Sequence, residues 1–244
     1  MNAQATIATE EVEYRDGDAP LKGYLAYDRS KKVRRLGVLI VHDYWGLKPY
    51  TKRRAERLAE LGYVAFAIDM YGKGKIAKHP EEAAALAGVY KSDQQLMRVR
   101  ARAGLEVFQK HQLVDTKRIV AIGYCFGGTT ALEMVRSGAD LVGVVSFHGG
   151  LATRDLGDAR NIKGKVLVLH GADDPLVPPE EVLAFEDEMR KAGVDWQMVI
   201  YGGAVHAFSN PEAGNDPSLG AAYNEKADKR SWEAMKTFFE EILK

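Results

Sequence analysis

Strand-length apolar runs alternate with helical patterns along most of this chain, and the alternation limits the folds open to it. The predicted strands are 36–43, 63–70, 118–124, 141–149, 165–174 and 196–203. Most of these runs are apolar on both faces, and helical segments follow or separate them. Such strands are typical of a parallel sheet that is covered by helices on both sides. The sequence therefore predicts an α/β fold with a mostly parallel central sheet.

The helical segments are recognised from apolar residues at three- and four-residue spacing. They are predicted at 50–62, along the long segment from Pro80 to about His111, and at 126–138, 179–193 and 222–242. A short β ribbon precedes the first buried strand. Because neither an internal repeat nor an interdomain linker is visible, residues 1–244 are predicted to form a single domain.

The charge balance and the cysteine count argue against several classes of protein. The chain has 34 basic and 34 acidic residues and one cysteine. A net charge of zero provides no electrostatic footprint for nucleic acid or an anionic membrane. One cysteine cannot form an internal disulfide, which fits a reducing compartment. We also find no signal-peptide pattern at the start and no apolar run of roughly 18 residues, so a cytoplasmic location is expected.

The strand at 118–124 runs into Gly-Tyr-Cys-Phe-Gly-Gly, and this stretch contains the single cysteine, Cys125. Gly123 and Gly127 flank Cys125 at the spacing of the nucleophile elbow G-x-S-x-G, with cysteine in the place of serine. The turn of an elbow strains its central residue, and side chains two positions away would collide. The positive end of the following helix favours a negative charge there. The motif alone is equally consistent with a small buried apolar residue, so its context has to decide.

An acid and a histidine complete the pattern in the order that hydrolases with an elbow use. Asp174 follows the strand at 165–174 within "HGADDPLVP", and His206 follows the last strand within "VHAF". Asp173 is the nearest rival for the acid, but the spacing to Gly171 favours Asp174. His42, His148 and His170 also lie at strand ends, where histidines more often bond to nearby backbone.

With these motifs, the chain resembles the dienelactone hydrolase, or carboxymethylenebutenolidase-like, family of α/β-hydrolases. The shared stretches are "VHDYWGL", "IDMYGKG", "GYCFGG", "HGADDPLVP" and "VHAF", and the resemblance extends from about residue 10 to the C-terminus. It implies an α/β-hydrolase fold. It further implies that Cys125 is the nucleophile, Asp174 the triad acid and His206 the triad base. The oxyanion donors implied are the backbone N–H groups of Phe126 and Tyr44.

Two positions depart from the pattern of the family. Asp43 stands where the family commonly has a glutamate, which can contact the nucleophile in the resting enzyme. Because aspartate is one methylene shorter, this contact is expected to be weaker or absent. A polar residue that bonds nearby backbone is the alternative for Asp43. Asn210 lies four residues after His206, where family members that act on dienelactone have an arginine for its carboxylate. Unless Lys73, Lys75 or Lys78 substitutes, neutral substrates are favoured over dienelactone itself.

The function predicted from these residues is hydrolysis of a small ester or lactone through a thioester acyl-enzyme. The segment between Gly149 and Lys165 is too short for a lid domain, so promiscuous turnover of activated aryl esters and phosphotriesters is expected. The alternatives are a thiol redox or sensor protein and a non-catalytic ligand-binding protein of the same fold. No metal-ligand spacing or phosphate loop is visible, and we expect no cofactor and no metal. The expected partner is a small molecule, with no nucleic acid and no membrane, and the protein is expected to be a monomer or homodimer.

Overall fold

The computed structural model describes residues 5–242, and the chain forms two compact units that divide between Ala121 and Ile122. The strands are β1 (Ile7–Asp16), β2 (Ala19–Asp28), β3 (Arg35–Val41), β4 (Val64–Ile68), β5 (Val114–Tyr124), β6 (Gly143–Phe147), β7 (Lys165–Gly171) and β8 (Trp196–Tyr201). The sheet has eight strands in the order β1-β2-β4-β3-β5-β6-β7-β8. The predicted mostly parallel sheet with helices is confirmed. That the whole chain is a single domain stays a prediction.

The helices follow the strands in most of the predicted places. They are α1 (Pro49–Glu60), α2 (Pro80–Ser92), α3 (Gln94–Gln109), α4 (Phe126–Arg136), α5 (Pro179–Ala192) and α6 (Glu225–Ile242). Three short 3-10 helices lie in the second unit, at Leu156–Asn161, Pro211–Ala213 and Pro217–Leu219. The first of these lies between β6 and β7, in the segment that was judged too short for a lid domain.

The first unit contains β1 to β4 and α1 to α3. The antiparallel ribbon of β1 and β2 pairs Ile7 with Asp28 and Asp16 with Ala19. Strand β2 continues antiparallel to β4, whereas β3 and β4 run parallel. The residues of β3 and β4 are all buried, as expected of strands that are apolar on both faces.

The long segment predicted to be helical from Pro80 to about His111 is helical and contains two helices, α2 and α3. Asp93 separates α2 from α3 and has extended backbone angles, with φ −127° and ψ 90°. Its carboxylate accepts a hydrogen bond from the N–H of Leu96 at 2.9 Å and so caps the start of α3. An aspartate that caps a new helix satisfies N–H groups that would otherwise lack partners.

The second unit contains the parallel strands β6, β7 and β8, with Gly143 opposite Lys165 and Val166 opposite Trp196. Helix α4 is buried along most of its length. Its last residue, Arg136, lies between Glu133 at 3.0 Å and Glu188 of α5 at 2.6 Å, with both carboxylates buried. Breaking such a buried network leaves an uncompensated charge, which is strongly destabilising. The network therefore ties α4 to α5, and α4 is the helix that starts directly after Cys125.

Candidate active site

Cys125 lies in the sharp turn between β5 and α4. Its φ of 55° is in a region that residues with a side chain rarely adopt. A Cβ atom placed on Gly123 would lie 1.9 Å from the carbonyl oxygen of Gly127. Position 123 therefore excludes any side chain, because it lies against the backbone of Gly127 across the turn.

The nucleophile candidate is the N-cap residue of α4, so the positive end of that helix begins beside it. The carbonyl oxygen of Cys125 accepts the N–H groups of Gly128 at 2.9 Å and Thr129 at 3.2 Å. Phe126, whose N–H group is a predicted oxyanion donor, is the first residue of α4. Cys125 is partly exposed and forms no disulfide.

A chain of hydrogen bonds joins Cys125, His206 and Asp174. The Nε2 atom of His206 lies 2.9 Å from Cys125 Sγ, and its Nδ1 atom lies 2.8 Å from Asp174 Oδ2. The other carboxylate oxygen of Asp174 accepts the N–H of Leu176 at 2.9 Å. Asp173 is exposed, whereas Asp174 and His206 are buried. The structure thus brings together the three predicted triad residues, and Asp174 is the aspartate that bonds to the histidine.

The backbone of His206 is held on both sides by the segment that precedes α6. The N–H of His206 donates to the oxygen of Gly220 at 3.2 Å, and its carbonyl accepts the N–H of Ala222 at 3.0 Å. These bonds fix the backbone of His206, and the hydrogen bond from its Nδ1 atom to Asp174 orients the ring. They also explain why a histidine on a loop can be positioned as firmly as one on a strand.

The environment of His206 favours its charged form. Burial opposes the imidazolium, but the charge of Cys125, hydrogen bonds to Asp174 and Cys125, and the charge of Asp174 outweigh burial. Together they raise the pKa of His206 to about 10. An imidazolium donates both of its N–H groups. At neutral pH, Nδ1–H therefore points to the carboxylate and Nε2–H points to the sulfur.

Asp43 and Tyr44 lie in the first unit, in the loop that follows β3 and His42. Asp43 is buried, and its Oδ1 atom accepts the N–H of Trp45 at 2.9 Å. The carbonyl oxygen of Tyr44 accepts a hydrogen bond from the hydroxyl of Tyr71 at 3.0 Å. The bond to Trp45 agrees with the backbone-bonding alternative for Asp43. The predicted roles of Asp43 at the nucleophile and of Tyr44 as an oxyanion donor stay predictions.

Asn210 has a structural partner. Its side-chain oxygen accepts the N–H of Glu212 at 2.9 Å and caps the 3-10 helix Pro211–Ala213. Lys73, one of the lysines considered as a substitute anchor, forms an ion pair of 2.6 Å with Glu13. A buried capping amide cannot form the two-point ion pair that an arginine forms with a carboxylate.

Two residues beside the thiol and the imidazole, His148 and Ser209, were not predicted to belong to the site. His148 was expected to bond to nearby backbone, and it does so at the N–H of Cys125 itself. Ser209, which bonds to the other ring nitrogen of His148, carried no signal at all in the sequence. The position of His148 directly after a strand was a usable signal, but it could not show which backbone group the ring would meet.

Residues 5–242 offer neither a metal centre nor a membrane-spanning helix. Within that range, no group of three or more His, Cys, Asp or Glu side chains could hold a metal ion. None of the helices described is both long enough and apolar enough to cross a membrane.

The chain matches the family model described as "Dienelactone hydrolase family" over residues 21–243. A crystal structure of a dienelactone hydrolase-like promiscuous phosphotriesterase from metagenomic libraries is 41% identical, with a TM-score of 0.93, and the match covers 97% of this chain and 98% of the other. A protein of Aquifex aeolicus named as a candidate carboxymethylenebutenolidase is 28% identical, over 96% of this chain and 98% of its own length. A structure from Klebsiella pneumoniae, 21% identical with a TM-score of 0.80, shows the same fold over 96% of this chain and 98% of its own.

Proposed function

Since this chain belongs to the dienelactone hydrolase family and is a hydrolase of that family, we propose that it cleaves small esters and lactones with Cys125 as the nucleophile. The observation that carries the proposal is the continuous hydrogen-bond chain from Cys125 Sγ through His206 to Asp174, at 2.9 and 2.8 Å. In this proposal Asp174 is the acid and His206 the base of a Cys–Asp–His triad. The elbow holds the thiol in the turn that such chemistry uses.

Acylation begins from the thiolate and the imidazolium. Sγ attacks the carbonyl carbon, and the negative charge moves to the carbonyl oxygen, where the N–H of Phe126 at the start of α4 can stabilise it. When this adduct collapses, the bond between carbon and the leaving oxygen breaks, and His206 Nε2 gives its proton to that oxygen. The products are a thioester on Cys125 and an alcohol, which stays attached to the acyl chain when the substrate is a lactone.

Deacylation uses the same histidine in its neutral form. Acylated sulfur carries no charge and no longer accepts a hydrogen bond as a thiolate does. Two influences that raise the pKa of His206 are then absent, and burial lowers that pKa. The neutral imidazole removes a proton from water, the hydroxide adds to the thioester carbon, and the C–S bond breaks. The carboxylic acid leaves, and the thiolate and imidazolium are restored.

We assign neutral acyl compounds as the preferred substrates, because Asn210 caps a 3-10 helix where an arginine would hold a carboxylate. The relative that is 41% identical is named for promiscuous phosphotriesterase activity. The same side activity is proposed for this chain. Sγ would attack phosphorus, an aryloxide would leave, and water would then release the phosphodiester from sulfur. A reduced thiol is needed throughout, which fits the reducing environment of the cytoplasm.

The proposal is tested by following release of p-nitrophenol from a short-chain ester by the purified protein. Cys125→Ala and His206→Ala should each lower turnover by on the order of a thousandfold or more, because either change stops acylation. Asp173→Asn is the matched surface control and should stay near wild-type turnover. Reversible oxidation of Cys125 by peroxide in a protein without esterase activity would support the thiol-sensor alternative instead.

A further inference from the structure

A second buried histidine, His148, lies directly behind the thiol and the imidazole. It follows β6 and is 2% exposed. Its φ of 41° is a strained value for a residue other than glycine. Its backbone N–H donates to the carbonyl of Leu169 in β7 at 2.8 Å, which anchors this strained position to the sheet. Strain of this kind persists only where the surrounding structure enforces it, so the place of His148 is closely determined.

The two ring nitrogens of His148 reach two different parts of the site. Nδ1 accepts the backbone N–H of Cys125 at 3.2 Å, an N–H that also donates to the carbonyl oxygen of Phe147 at 3.0 Å. Nε2 lies 2.8 Å from Oγ of Ser209. Ser209 is fully buried and lies on the segment 202–210, which we call the histidine loop because it carries His206. One side chain therefore links the elbow to the histidine loop.

These contacts determine the tautomer of His148. A backbone N–H can only donate, so Nδ1 must be the acceptor and the ring proton must be on Nε2. Nε2–H then donates to the hydroxyl of Ser209.

The ring of His148 also contacts the histidine loop through its edges. It lies 5.4 Å from the ring of His206, with the planes at 65°, and 4.9 Å from the ring of Phe208 at 82°. Edge-to-face packing at these distances is favourable. The residue that shares the N–H of Cys125 with Phe147 therefore also packs against the ring of His206.

We propose that His148 is a positioning residue that keeps Cys125 Sγ and His206 Nε2 at bonding distance by fastening the elbow to the histidine loop through Ser209. The inference rests on the proposed function, because the distance matters only if these two atoms react. Displacements of about an ångström between reacting groups cost around a hundredfold in rate. Loss of the link should therefore slow acylation while substrate binding is retained.

Two amide substitutions separate the two halves of the link. The side-chain oxygen of Asn in His148→Asn occupies the place of Nδ1 and can still accept the N–H of Cys125, and Asn tolerates a positive φ. The longer side chain of His148→Gln places its amide near the position of Nε2, so that it reaches Ser209. His148→Phe removes both bonds, and Ser209→Ala removes one bond without altering the ring. His79→Ala, at an exposed histidine of the first unit, is the control.

The experiment measures kcat and KM for a p-nitrophenyl ester, the pH profile of iodoacetamide alkylation, and thermal unfolding for each variant. We expect kcat to fall about tenfold in Ser209→Ala and about a hundredfold in His148→Phe, with KM within about threefold. His148→Asn should recover part of the loss. The alkylation profile should shift in the same variants, whereas a purely structural role would change the unfolding temperature alone.

Wild-type kcat and an unchanged alkylation profile in both His148→Asn and Ser209→Ala would overturn the proposal, even if His148→Phe failed to fold. A fall in kcat in His79→Ala equal to that in Ser209→Ala would overturn it as well. Full turnover by Cys125→Ala would instead refute the proposed function, so the two failures are distinguishable.

Discussion

Replacing Asp174 by asparagine removes one charge and leaves the shape of the side chain almost unchanged. The side chain of Asp174 is fully buried, and its carboxylate lies 2.8 Å from Nδ1 of His206, so solvent screens their interaction little. Its hydrogen bond and its charge are two of the four influences that raise the pKa of His206. The amide oxygen can still accept the N–H of Leu176, as Oδ1 of the carboxylate does. The variant should therefore fold.

The chemical cost follows from the tautomer. An amide that turns its NH₂ toward Nδ1 makes Nδ1 an acceptor, and the ring proton of a neutral imidazole then lies on Nε2, facing the sulfur. Such a ring cannot accept the proton of the thiol. In triads of this kind the change costs about 10⁴-fold in kcat. We expect a loss of 10³- to 10⁴-fold in Asp174→Asn, about 4 to 5.5 kcal/mol in the barrier.

The assay is single-turnover release of p-nitrophenol at neutral pH, with Asp173→Asn as the matched control. Asp173 is exposed, so its amide variant should stay within about twofold of the wild type. A loss of less than tenfold in Asp174→Asn would refute the reasoning. Equal losses of turnover in both variants would also refute the assignment of Asp174, because the effect would then not be specific to the carboxylate that bonds to His206.

Four further predictions concern pH, the sulfur, the elbow and the substrate. Since the pKa of His206 is raised to about 10, its imidazolium is present at neutral pH and is lost above that value. The leaving oxygen of an alkyl ester needs that proton, so the rate of acylation in stopped-flow assays should fall as pH rises through about 10. A fall centred near the ordinary histidine pKa of about 6.5 would contradict this prediction. Cys125→Ser should stay folded but acylate at least a hundredfold more slowly, because the oxygen is less acidic and on a shorter bond, and full activity would count against a poised thiolate. Gly123→Ala should lower the unfolding temperature and abolish activity, since its Cβ would lie 1.9 Å from a backbone oxygen, whereas Gly88→Ala, with no atom within 4 Å, should be neutral or stabilising. Neutral lactones should be hydrolysed at least as fast as carboxylated ones, because Asn210 is engaged in a cap; a strong preference for the carboxylated lactone in competition assays would show that an anchor exists elsewhere.

The parts of the fold and site that the sequence predicts well are those set by local patterns. Buried strands such as β3 and β4 are recognised by their apolar runs. The glycine before Cys125 is explained by a contact with the backbone of Gly127, only four residues along the chain. Asp174 and His206 were predictable as a pair because each follows a parallel strand, and the carboxyl ends of such strands lie at one edge of the sheet.

Two kinds of feature could not be predicted from the sequence. Some depend on contacts between residues that are distant in the chain, and others occur where the local sequence is compatible with more than one backbone conformation. Asp93 lies in a segment that reads as continuous helix, and its capping role depends on its backbone angles. The strained φ of His148 and its link to Ser209, 61 residues away, follow from packing behind the elbow. The pKa of His206 likewise depends on burial and on charges that meet only in the folded chain.

The measurement that tests the central claim most directly is mass spectrometry of the protein quenched in acid during turnover of a p-nitrophenyl ester. We expect one added acyl group on the peptide that contains Cys125. Hydroxylamine should remove it, and it should persist longer in a variant that deacylates slowly. An acyl group on another residue would contradict the assignment of Cys125 as the nucleophile. Steady turnover by a Cys125→Ala variant that forms no acylated protein would contradict that assignment as well.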